Sequence, residues 1–319
     1  MTGLLNEPIP KLYIESMDGS LSIPLDDTMG LIRLPGSTGL EMPPVEVISA
    51  TIPGVPGSVV QDVRVQDRPV FIPLYAYSAV GQREFRELLD LLRSVIDPMT
   101  GSFKLVGASL RGIRELVVTY ESGLEGNDEQ GTESVNWAKF GLKCTAHEPF
   151  ARAREDRSLE YRVVSVSSPF LGVAGGTDVP FDTAMLSSNS VIGSGMPITI
   201  DSEVPVYPTV ELLGAMTSFL GTLSSVVTNP NGTTTTIVDR EWSVSVPSGV
   251  PAGQTLRMVT DPRNRSIRLN GALAAGMIAR GSTLRPFYPG TNVLNVVAPG
   301  GTTDTRITIT WRDLYRSLW

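Results

Sequence analysis

Apolar and polar residues alternate with a period of two along most of this chain, and one segment breaks the pattern. Lys11-Leu-Tyr-Ile-Glu15 alternates as a strand does, and Leu31-Ile-Arg-Leu34 runs into the turn pair Pro35-Gly36. Ile52-Pro-Gly-Val-Pro-Gly57 is a turn-rich joint within a Pro/Gly-rich opening. Over 68–77, Val70, Ile72, Leu74 and Ala76 share one face while Pro69 and Pro73 occupy the other. Proline offers no N–H to a ladder, so this strand is expected to have an open edge or a bulge. Gln82–Ile96 departs from the period of two. There Phe85, Leu88, Leu89, Leu92, Val95 and Ile96 form a single stripe at helical spacing. Ser78 is the candidate N-cap, and Asp97-Pro98 ends the helix because a residue before proline avoids the α region. Strands resume at Phe103–Val106, Ile113–Glu121 and Val135–Ala146.

Residues 151–160 form a charged junction, and beyond it helical periodicity nearly vanishes. Short β-rich segments follow at Tyr161–Val166, Ile198–Ile200, Thr209–Leu213, Thr233–Val238, Thr255–Val259, Ser266–Leu269, Asn292–Val297 and Arg306–Trp311. Regular strand spacing without intervening helices predicts a β-sandwich. The fold class is therefore mainly β. A first domain with one helix spans 1–155, and a sandwich spans 156–305.

Composition sharpens this division. At 319 residues the chain is long enough for two domains. Its net charge is −7, and the whole excess lies in 1–155, which holds 21 Asp and Glu against 14 Lys and Arg. Residues 156–319 hold twelve of each, and all four lysines (Lys11, Lys104, Lys139, Lys143) precede them. Such a balance argues against a protein that grips nucleic acid through overall charge. The N-terminus shows no basic start followed by an apolar core, so no secretory signal is expected. Val210–Val227, the most apolar long window, reads as core strands rather than a membrane span.

Chemistry is sparse. Cys144 is the sole cysteine and His147 the sole histidine, which excludes an intrachain disulfide and a Cys/His zinc site. Three apart on a strand, they face opposite sides and cannot form a thiolate–imidazole dyad. The acidic run Glu125–Glu133 lacks calcium-loop spacing and reads as a hairpin tip. No phosphate-binding loop, nucleophile elbow or dinucleotide fingerprint occurs. Asp26-Asp27 and Asp201/Glu203 are candidate carboxylate pairs for a glycoside hydrolase, the latter on one strand face. Solvated strand ends are the plainer reading of both. Trp242, Phe287 and Tyr288 are candidates for stacking on a host glycan, with core packing the plainer reading. No cofactor and no catalytic set is expected.

One ordered set of motifs carries a resemblance. It begins with Gly54-Val-Pro-Gly57, then a strand of the Arg-Pro-Val-Phe-Ile-Pro-Leu type. The helix ending Asp97-Pro98 comes next, and Trp137 through Pro149-Phe150 closes the first half. The second half has Tyr207-Pro208, Pro289-Gly290-Thr-Asn292 and Trp311 through Tyr315. In this order the chain resembles the distal tail protein family of long-tailed, non-contractile bacteriophages. The resemblance implies an N-terminal ring-forming β-barrel or split-barrel with one helix. It also implies a C-terminal galectin-like or carbohydrate-module-like sandwich. The last segment, 306–319, would return to the first domain. It further implies a non-enzymatic virion protein at the distal end of the tail, a homo-hexamer between the tail tube and the tail tip or baseplate. Tape measure protein and DNA would pass through its lumen without specific binding, a host glycan is a further candidate partner, and membrane insertion is not expected. The stretch 167–205 is longer than in the shorter members of that family.

Overall fold

The structure is a computed structural model describing residues 11–97, 99, 101–125, 134–162, 191–228, 234–237, 240–302 and 304–319. The chain divides into two compact units, Met1–Arg154 with Leu314–Trp319, and Glu155–Asp313.

The first unit contains β1 (Lys11–Glu15), β2 (Ser22–Pro24), β3 (Leu31–Arg33), β4 (Val45–Ala50), β5 (Val59–Val65) and β6 (Arg68–Tyr77). These are followed by α1 (Gln82–Val95), β7 (Ser102–Ser109), β8 (Gly112–Ser122), β9 (Trp137–Ala146) and β10 (Ala151–Ala153). An antiparallel sheet runs β2-β1-β7-β8-β9-β6-β3. A bridge between Asp26 and Ile32, continuous with β2 and β3, brings its two ends together, so the sheet is nearly a closed barrel. Alternation supplies the core: Ile14, Val70, Ile72, Leu74, Ala76, Leu105, Leu116, Leu142 and Cys144 are buried with Phe85, Leu88, Leu89 and Leu92 of α1. The helix thus buries the stripe that its sequence displays.

Its start differs from expectation. Gly81 is the N-cap and offers no side chain, while the Ser78 hydroxyl accepts the N–H groups of Val80 and Gly81, one turn too early to cap the helix. The prolines of β6 fall where their chemistry allows. Phe71 exchanges backbone bonds with Thr38, and Leu34 and Tyr77 make bonds with Pro73 and Gly30 on that same side. The missing N–H groups of Pro69 and Pro73 therefore face an edge covered only by three-residue β3 and one bridge.

The second unit contains β11 (Arg157–Arg162), β12 (Val191–Ile200), β13 (Thr209–Leu213), β14 (Phe219–Thr228), β15 (Thr234–Thr236) and β16 (Trp242–Val246). β17 (Thr255–Val259), β18 (Ser266–Leu269), β19 (Ala272–Leu273), β20 (Gly290–Ala298) and β21 (Arg306–Trp311) complete it. One sheet runs β11-β21-β13-β17-β18-β19; the other runs β12-β20-β14-β15, with β16 also on β14. Trp242 of one sheet and Trp311 of the other both meet Phe287 edge-on, at 5.4 and 6.0 Å between ring centroids. These rings tie the sheets into one core.

The segment expected to return, 306–319, is divided. β21 stays in the second unit, hydrogen-bonded to β11 and β13, because its alternation Ile307, Ile309, Trp311 fits that core. Only Leu314–Trp319 joins the first unit, where β22 (Leu314–Tyr315) pairs with β10. Residues 163–190, which include most of the long stretch noted in the sequence, lie outside the described residues, as do 126–133 of the acidic run.

Candidate functional site

The structure separates the residues that could have formed a catalytic centre. Cys144 is buried and aims its thiol at the Val70 carbonyl, whereas His147 is exposed and its Nδ1 lies 2.8 Å from Asp67. Desolvation pushes the Cys144 thiol up to about 12, the reverse of an activated nucleophile. Asp26 is tied to Lys11 at 3.1 Å and to Thr28, and Asp27 accepts the Tyr77 hydroxyl at 2.7 Å. The bonds to Thr28 and Lys11 hold the Asp26 carboxyl below its usual range, so it remains a weakly basic anion. Asp201 and Glu203 do not share a strand face as expected. β12 ends at Ile200, both residues lie in the following loop, and Asp201 pairs with Arg157 at 3.0 Å. Among the described residues no group of three or more His, Cys, Asp or Glu side chains is placed to hold a metal ion. Among them, too, no helix is long and apolar enough to cross a membrane.

Two of the three aromatic candidates are corrected in the same way. Trp242 and Phe287 are fully buried, in the three-ring contact that joins the two sheets, and neither offers a ring face to a sugar. Tyr288 is half-buried, with the Arg240 guanidinium 4.9 Å from its ring centroid.

What the first unit does build is a clamp on the end of the chain. Arg68, fully buried, donates to the Arg316 carbonyl. Arg114 donates to the carbonyls of Ser317 and Trp319, and its guanidinium stacks 3.8 Å from the Tyr315 ring centroid. Leu318 is buried, and its N–H donates to the Leu40 carbonyl at 2.9 Å. Gly107 makes room for it: a Cβ there would lie 2.5 Å from the Leu318 carbonyl oxygen. Burial pulls the Arg68 guanidinium down to about 10, so it remains charged near neutrality and needs the tail's carbonyls. Beside this clamp the loop Arg33–Met42 and Trp319 line an open groove of about 490 Å³.

Two units of this make, a nearly closed barrel with one helix and a two-sheet body whose chain then re-enters the barrel, form a specific combination to compare. No family model matches the chain, and no curated protein matches it in sequence. Solved structures do. The SPP1 Dit protein, described as a paradigm of the hub adsorption apparatus in phages infecting Gram-positive bacteria, matches at TM-score 0.58 and 12% identity. The match covers 97% of this chain and all of that one. Chains of the phage P2 baseplate in its activated conformation, with calcium and with strontium, match at TM-score 0.50 and 8% identity over the same shares. The fold is that of a Dit hub protein.

The motif residues behind the resemblance occupy turns and junctions of this Dit fold. Gly54 and Gly57 take φ of 81° and 93° in the loop between β4 and β5, which favours glycine. Asp97 accepts the Met99 N–H at 2.9 Å just past α1; Pro98 lies outside the described residues. Trp137 opens β9, its ring 6.0 Å from that of Tyr75, and half-buried Pro149 and Phe150 lead into β10. Tyr207 is exposed, while buried Pro208 accepts the Thr260 hydroxyl at 2.6 Å. Asn292, fully buried, donates to the Tyr288 and Gly290 carbonyls and accepts the Ser225 hydroxyl, so it holds the turn around Pro289. Trp311 donates to Asp313 at 3.2 Å, and Tyr315 lies under Arg114. Each of these roles is architectural. The clamp residues Arg68, Arg114 and Gly107 were not singled out in the sequence, although both arginines share the parity of buried residues on their strands.

Proposed function

We propose that this chain is a structural subunit at the distal end of a phage tail. Six copies close into a hub ring between the tail tube and the tail tip or baseplate. The tape measure protein and then DNA pass through its lumen. One observation carries this reading: the likeness to the SPP1 Dit protein covers 97% of this chain and all of that one, rather than one common module. The placement of the sequence candidates agrees with a structural task, since the carboxylates are paired to cations or hydroxyls and the thiol is buried. Six copies would carry a formal charge of about −42, most useful on a wall past which DNA must slide without sticking.

With Trp242 and Phe287 in the core, the three rings do not form a stacking surface for a sugar. Negative-stain imaging and native mass measurement of the purified full chain test the hub. Closed six-membered rings are expected. A protein that stays monomeric at high concentration overturns the reading.

A further inference from the structure

We infer that the ribbon formed by β4 and β5 docks on a second copy of this chain, its valine face against the outer strip of β6 and β9. The inference rests on the ring-forming reading above. Among the described residues the two strands pair only with each other, and every residue in them except Ala50 is exposed. Cross-strand partners place Val45 with Val65, Val47 with Val63, and Ser49 with Val60 on one face. Glu46 with Arg64 and Ile48 with Asp62 occupy the other. The five valines are 37% to 56% exposed, and Met42, Ile52 and Val55 add exposed apolar surface nearby. A lone two-stranded ribbon is marginal in water, and contiguous exposed apolar residues on one face mark a candidate interaction site. Neither strand carries a lysine or proline to block its edge.

The occupant follows from charge and from what the same unit offers. The ribbon holds Glu46 and Asp62 against a single Arg64, which suits neither phosphate backbones nor anionic lipid. The outer face of β6 and β9 is its complement. There the register sets Phe71 beside Lys143, Tyr75 beside Lys139, and Tyr77 beside Trp137. The four rings are half-buried, the two lysines are exposed, and those two strands hold no acid. Phe71 lies across Gly141 between the lysines, where a Cβ would come within 2.5 Å of its ring. A head-to-tail ring needs two unlike surfaces on every copy. An aliphatic, net acidic ribbon and an aromatic, basic strip meet that requirement.

Cys144 is buried and is the only cysteine, so Val47→Cys creates one reachable thiol. The full chain carrying it is labelled with a thiol-directed photo-crosslinker, mixed with isotope-labelled copies and irradiated. Adducts between copies that map to 68–77 or 137–146 are expected; rings without any such adduct overturn the inference. Separately, Val47→Lys with Val63→Lys should abolish the ring and leave a monomer with the wild-type circular dichroism and a cooperative unfolding transition, since both sites are exposed. Leu273→Lys, an exposed apolar site on the second unit, should keep the ring. If wild type forms rings and the ribbon variant does too, the inference fails while the hub stands. If wild type forms none, the hub reading itself fails and takes the inference with it.

Discussion

Cys144 reports at the scale of one side chain how dry the barrel is. Its thiol sits 1% exposed among β-strand side chains and ionises only near 12, against an ordinary value near 9. Folding therefore favours the protonated thiol. Stability from this group is intact below about pH 9 and declines between 9 and 12, where the unfolded thiol ionises and the folded one does not. A thiol reagent at pH 8 should find no reactive group in the native chain and one full equivalent in denaturant. Native reactivity at the rate of a free thiol would mean that the barrel opens there. The parity of β9 made both this burial and the outward placement of His147 legible in the sequence. Parity also carried a signal for Arg68 and Arg114, which share faces with Val70 and Leu116. What it could not carry was their partner, because the acceptors lie more than 200 residues away, in the carbonyls of the tail.

Among the elements, α1 and β6 were legible because each buries a face against its own unit, which forces a clean period on the sequence. The β4–β5 ribbon was not. Among the described residues it pairs with no other strand, a bulge after Ile48 breaks its alternation, and the turn-rich joint at 52–57, which is the ribbon's tip, did not by itself reveal two paired strands. The tail was half legible: its alternation placed a strand at Arg306–Trp311, but the same apolar pattern suits either unit's core. The tail now makes a prediction of its own. Deleting Leu314–Trp319 removes the carbonyls that Arg68 and Arg114 donate to, so two buried guanidinium groups lose acceptors. Losing a buried hydrogen bond to a charged group costs about 1.5–3 kcal/mol. The first unit should melt at a clearly lower temperature in calorimetry, and Leu318→Ala alone should cost about 2–5 kcal/mol by leaving a cavity over Gly107. An unchanged first-unit transition in the deletion would show that the clamp contributes nothing.

At the scale of the whole molecule, the net charge of −7 is not spread evenly, and its excess sits in the half that has the barrel. Binding to duplex DNA draws on counterion release, and each phosphate neutralised by a lysine or arginine adds to the affinity and to its salt slope. Many cations of the acidic half are already engaged. Lys104, Arg152 and Arg154 are spent on buried Glu15 and Glu115 in a network on the barrel's own strands. Lys11 is held by Asp26. Lys139 and Lys143 lie on the strip assigned to the neighbouring copy, and closing the ring would cover them. An assembled hub should therefore fail to retard duplex DNA in a gel at about 50 mM salt, where non-specific binders with micromolar affinity do so readily. Retardation that fades steeply with added salt would mean that the protein grips phosphates, and a lumen with that property would hold the genome rather than release it.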